Sequence, residues 1–242
     1  MTEQNKVRPS GIWRGIVITL MALTVAFTLL AAVGTLCAAL GAENYDSMVA
    51  LVPYKPLYQA LVVISLAAGI WGIQVVVSLV RSGPTAYRNA LLMLVIGALS
   101  AGVQMGVSQA LRGKSAPVNM RVYLTVFTLI VFLLLRLPPL WARVDFTQSP
   151  KGKNSKTASG GTALMVCGAV VATTRWWVGA SHISASGSNW VETPGVSLPG
   201  WGWGMVIVGI VMLLAAVSTI PRKEQVSRRA RLNVSPGLVK VV

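Results

Sequence analysis

Long apolar runs alternate with short polar or proline-bearing breaks along the whole chain. The runs cover approximately 16–40, 57–80, 89–111, 122–140, 162–180 and 201–220. Each has about the 20 residues that a helix needs to cross the hydrocarbon of a bilayer. The apolar residues are continuous rather than alternating, which predicts helices and not the strands of a barrel. The pattern therefore predicts an all-α membrane protein, a polytopic bundle of six transmembrane helices.

The breaks divide the bundle. Pro53 and Pro56 punctuate the first loop, and Arg81 to Arg88 form a tight turn with a cation at each end. Arg112, Lys114, Pro117 and Arg121 are assigned to the next loop. Arg136 lies within the fourth run and is expected to snorkel toward headgroups. Pro138 and Pro139 are expected to end that helix, because proline cannot continue the hydrogen-bond ladder. Four regions follow from this reading: a four-helix membrane region at 1–142, a basic flexible loop at 143–160, a hairpin of two spans at 161–221, and a basic tail at 222–242. The hairpin carries an outer loop, 181–200, of Ser, Gly, Pro and Trp190. No residue pattern in the first half recurs in the second.

Composition agrees with a bilayer environment. Hydrophobic residues make up 54% and charged residues 11%, against about 25% charged in a typical soluble domain. The net charge is +15. Because the cations flank apolar runs instead of forming a stripe, they are read as orienting charges that contact anionic lipid headgroups, and nucleic acid is not an expected partner. Placing both termini in the cytoplasm puts most of the 21 basic residues inside, as the positive-inside rule requires. The loop with Arg112, Lys114 and Arg121 runs against this orientation. Trp13 and Trp141 fall at the expected inner boundary, and Trp176, Trp177, Trp190, Trp201 and Trp203 at the outer one. The pattern suits a plasma (inner) membrane. The first run exceeds the about 7–15 residues of a signal peptide's apolar region, so it is read as an uncleaved span.

Candidate chemistry is sparse. None of the six acidic residues falls within a predicted span, which disfavours a proton relay. One histidine, His182, cannot supply the paired axial ligands of a membrane haem. Cys37 and Cys167 are too few for a structural zinc site and are read as packing residues. No enzymatic activity, metal or cofactor is predicted.

The third run is the most informative. Ala98, Gly102, Gly106 and Ala110 recur every fourth residue and form a small face, where backbones could approach closely. Ser100, Gln104 and Ser108 form a second, polar face. A helix with two such faces is expected at the centre of the bundle, packed on both. Gln74 in the second run joins Ser100, Gln104 and Ser108 as material for a polar path. Arg175, near the outer end of the fifth run, is the candidate for contact with an anion or a partner, since an intramembrane cation is costly without one. The expectation that best fits these features is a non-catalytic membrane subunit or scaffold, packed against another membrane protein or a second copy. A small permease or channel for a neutral or anionic solute is the alternative, and a membrane enzyme without a recognisable motif the third.

Overall fold

The structure is a computed structural model that describes residues 10–115, 118–148, 153–178, 183–184, 186–187 and 198–218. Eight α-helices form: α1 (Gly11–Gly41), α2 (Lys55–Arg81), α3 (Ala86–Arg112), α4 (Val118–Leu134), α5 (Pro138–Val144), α6 (Lys153–Ala172), α7 (Thr174–Val178) and α8 (Leu198–Ser218). Two 3-10 segments, Ala42–Asn44 and Asp46–Tyr54, link α1 to α2. There is no strand among the described residues.

Four helical segments are long and apolar enough to cross a bilayer: Gly11–Asn44, Asp46–Arg81, Ala86–Arg112 and Leu198–Ser218. A fifth span results if α4 and α5 are taken together, although they are bent by 103°. The bend falls where the sequence predicts only an end. Leu135–Leu137 form a turn, and Pro138 and Pro139 then open α5. Proline suits the first helical turn, where its N–H would lack a partner and its fixed φ is already helical. The expected flexible loop at 143–160 is shorter than predicted, because α6 begins at Lys153. The polar N-terminal half of α6, with Ser155, Lys156 and Ser159, is the reason that stretch reads as loop. His182, Trp190, Glu192 and the tail at 222–242 lie outside the described residues.

The central helix is α1, not α3. It packs on α2, α4, α5 and α6, and it is buried or half-buried almost throughout. Val17, Ile18, Met21 and Val25 meet Val75, Leu79, Met93, Leu94 and Phe132 in the largest apolar cluster. The tightest approach is between α6 and α8. Gly161 and Gly168 on one helix face Gly209 and Gly202 on the other. A methyl group on Gly209 would sit 2.7 Å from the backbone N of Met165, and one on Gly168 would sit 2.7 Å from the carbonyl O of Gly202. Glycine is needed at such contacts because any Cβ would collide with backbone, which cannot rotate away. The paired seven-residue spacing of these glycines is the sequence signal for the seam.

Candidate functional site

Two arginines are almost wholly buried, Arg14 and Arg121, each 1% exposed. They are held differently.

Arg14 sits in the first turn of α1 and binds acceptors from other segments. Its Nη1 donates to the carbonyls of Asp145 at 3.3 Å and Gln148 at 2.7 Å. Its Nη2 donates to the carbonyl of Leu79 at 2.6 Å and to Ser82 Oγ at 2.9 Å. The last carbonyls of a helix have no partner within it, and Leu79 stands in the last turn of α2. Ser82 takes the left-handed conformation that ends α2, with φ 68°. The guanidinium also lies 5.2 Å from the ring centroid of Phe146. Asp145 fixes the loop that supplies two of these carbonyls. Its carboxylate accepts bonds from the Thr147 N–H at 3.0 Å, Thr147 Oγ1 at 2.6 Å and Gln148 Nε2 at 2.6 Å. Partial burial would raise the Asp145 pKa, but these bonds and the Arg14 charge hold it below the ordinary value.

Arg121 stands near the opposite end of the bundle. The sequence reading placed it in a loop, but α4 begins at Val118 and carries it inward. Its Nη1 donates to Ser65 Oγ at 2.9 Å and to Gln104 Oε1 at 3.3 Å, and its Nη2 donates to Ser100 Oγ at 2.9 Å. Gln104 Nε2 in turn donates to Thr35 Oγ1 at 2.6 Å, and Thr35 donates to the carbonyl of Ala31. One cation therefore gathers side chains of α2 and α3, and through Gln104 it reaches α1. Ser100 lies about 18 Å from the C-terminal end of α3 at about 1.5 Å per residue, so the guanidinium is deep in the bundle. A guanidinium has five N–H donors. Arg121 makes three hydrogen bonds here, and its buried Nε has no partner. Among the described residues no carboxylate lies within 4 Å of it.

Beside this group is a cleft with a cavity volume of about 70 Å³. Its polar lining is Arg121, Gln104, Ser108, Thr35, Tyr58 and Arg112. Tyr58 and Ser108 share a hydrogen bond of 2.8 Å between their hydroxyls. Arg112 also has a buried, unpartnered Nε. Thr174 of α7 also lines it, and the rest of the lining is apolar, mainly from α1 and from α7. None of the lining residues is Asp, Glu, His or Cys. Arg121, Arg112 and the hydroxyls are groups that can donate hydrogen bonds to negative charge.

The predicted polar face of α3 is buried and built into this site. Gln74 is not part of it: that side chain is exposed on α2. The predicted small face of α3 does not pack within the chain. A methyl on Gly102 or Gly106 would meet nothing within 4 Å, and Gly106 and Ala110 are exposed. The expectation that this face holds the helices together is therefore corrected. The polar face turns inward because Arg121 and Thr35 require its donors and acceptors there. Arg175 is exposed, and it is not among the residues lining the cleft. A signal for Arg121 was present on its own helix. Arg121, Thr125 and Thr128 fall at i, i+4 and i+7, all buried, and Thr128 bonds Thr24 of α1 at 2.8 Å. A polar stripe inside an apolar helix marks an interior face.

No protein family, curated protein or solved structure matches this chain.

Proposed function

We propose that the protein is a small multi-pass permease or binding protein that takes an anion into the cleft at Arg121. The observation that carries this reading is Arg121 itself, a buried cation with an unpartnered Nε beside a cleft and, among the described residues, no carboxylate within 4 Å. Burying an unpaired charge is costly, and intramembrane cations pair with counter-ions or line water-filled cavities. An anionic ligand would supply the missing charge. The topology proposed with it has six spans, with α6 as the fifth and both termini in the cytoplasm of a cell with a plasma (inner) membrane. The charge asymmetry of the sequence supports that orientation. The experiment is anion uptake into liposomes of uncharged lipid containing the purified protein, with acetate, inorganic phosphate and dodecanoate as solutes. Uptake or saturable binding of one of these, lost in Arg121→Gln, is the expected result. Neither binding nor uptake of any of them would remove the reading.

One observation favours a second reading as a membrane subunit. The small face of α3, with Ala98 and Gly102 half-buried and Gly106 and Ala110 exposed, leaves room for a helix of another membrane protein or a second copy. Recovery of a stoichiometric partner after crosslinking in native membranes would support it.

A further inference from the structure

We infer that the ligand of the Arg121 cleft is an anionic amphiphile, with one carboxylate or phosphate head and an apolar body. This rests on the proposal of an anion site and adds the substrate class. The cleft has two chemically distinct parts. The head would meet the Arg121 side chain, with Arg112 and the hydroxyls of Ser108 and Tyr58 in the same polar lining. These groups are donors or can act as donors, which suits an oxygen anion rather than a cation. The second part is apolar: Phe27, Leu30 and Val33 of α1 oppose Trp177 and Val178 of α7. A small hydrophilic anion would leave that wall without a partner. An alkyl body would cover it and gain by leaving water.

The helix packing also suits entry of such a body. Both α4 and α6 pack on α1, and no broad contact joins α4 to α6, α7 or α8. Among the described residues, the flank of the cleft between α4 and α7 is therefore not bridged by broad helix packing. Phe27 and Trp177 pack with ring centroids 5.4 Å apart, forming a floor beneath the apolar part. Apolar side chains are exposed on both helices, among them Tyr123 and Phe127 on α4 and Trp176 on α7. A ligand soluble in the bilayer could slide its body past these residues while its head engages Arg121.

Titration of the full chain in an uncharged maltoside detergent tests this with acetate, octanoate, dodecanoate and inorganic phosphate. The expected result is saturable binding that tightens with chain length, with dodecanoate at least tenfold tighter than acetate. Arg121→Gln should lose tenfold or more for dodecanoate, and Arg121→Lys should retain part of it. Leu30→Trp, which fills the apolar part and leaves every donor in place, should abolish the dependence on chain length. That second variant keeps the test sound if Arg121→Gln folds poorly. Organic extraction of protein purified from membranes separates the sources: an anionic lipid recovered from the parent but not from Arg121→Gln places the ligand in the bilayer. Dodecanoate binding with no recovered lipid places it in water. Acetate or phosphate binding as tightly as dodecanoate would overturn the amphiphile and leave the anion site standing. Dodecanoate binding unchanged in Arg121→Gln would overturn the head-group assignment. No binding by any probe, with no lipid recovered, would overturn both the amphiphile and the anion site.

Discussion

Two buried arginines, about 30 Å apart along α1 at 1.5 Å per residue, show what separates a structural cation from a binding one. Arg14 meets three backbone carbonyls and one hydroxyl, and its partners come from the end of α2 and the segment after α5. Two of those carbonyls also accept a backbone N–H, Leu79 from Ser82 and Asp145 from Gln148, so Arg14 adds a second, charged donor that ties the two segments together. Arg121 meets two hydroxyls and one amide oxygen. Each of those groups has another bond or could find one: Ser100 also donates to the carbonyl of Gly97, and Gln104 also donates to Thr35. The protein would lose its end joint without Arg14. Without Arg121 it would lose a charge facing a cleft. Equal burial therefore does not imply equal roles.

The largest expected effect is on stability at Arg14. Arg14→Met should destabilise the fold by about 3–5 kcal/mol, a non-additive loss of four hydrogen bonds from a charged donor that contribute about 1.5–3 kcal/mol each. It would remove the charged donor shared by the carbonyls of Leu79, Asp145 and Gln148. Thermal unfolding in detergent would measure it. A melting temperature equal to the parent's would mean that water replaces the guanidinium, and that Arg14 is no more structural than Arg121.

Arg121→Met should change stability in the other direction, between no effect and about 4 kcal/mol of stabilisation, as found when buried charges are replaced by apolar groups of similar volume. The same measurement reads it. A loss comparable to that of Arg14→Met would make Arg121 a second structural joint and weaken the binding reading. The opposed signs are the sharpest form of the comparison, because both residues are 1% exposed.

The helical class was legible in the sequence because long apolar runs admit few other structures in lipid. The bend at Pro138 and the early start of α6 at Lys153 were less so. Hydropathy reports where a helix can lie in lipid, not where its hydrogen bonds begin. The polar face of α3 was visible from its spacing, but its partner was not. Arg121 follows several loop-like residues, and a cation at the edge of an apolar run reads first as a flanking charge. Only its register with Thr125 and Thr128 separates it from Arg112 and Lys114. The rotation of α3 was misread for a related reason. A small face suits close packing, yet it gains nothing unless another helix is placed against it, whereas Ser100 and Gln104 bring α3 into contact with a charge that requires them.

A smaller effect is expected at Asp145, which orders the segment that supplies two of the carbonyls bound to Arg14. Its folded pKa is lowered, so its contribution to stability is complete above the unfolded carboxylate pKa of about 4. That contribution falls away as pH drops through the lower folded value. The parent should lose stability below about pH 4 in detergent, and Asp145→Asn should flatten that part of the profile while losing about 1 kcal/mol or less at neutral pH. An unchanged acid limb in the variant would show that the loop is ordered without the carboxylate, and that Arg14 alone holds the joint.

The smallest expected effect bears on whether α3 delivers its polar face to Arg121. Gly102 and Gly106 face away from the bundle, with nothing within 4 Å of an added Cβ. The double substitution Gly102→Leu, Gly106→Leu should therefore destabilise the isolated chain by no more than about 0.5 kcal/mol, as for substitutions away from packed contacts generally. Some gain is also expected, since glycine is a poor helix former by about 1 kcal/mol per residue relative to alanine. The measurement is thermal unfolding in detergent, at a concentration where the chain is monomeric by light scattering. A loss of several kcal/mol would mean that α3 is rotated, with its small face inward. Ser100 and Gln104 would then turn away from Arg121, and the cation would need other partners. An unchanged melting temperature with loss of a higher-order species in native membranes would keep α3 as placed, and would assign the small face to contacts outside the chain.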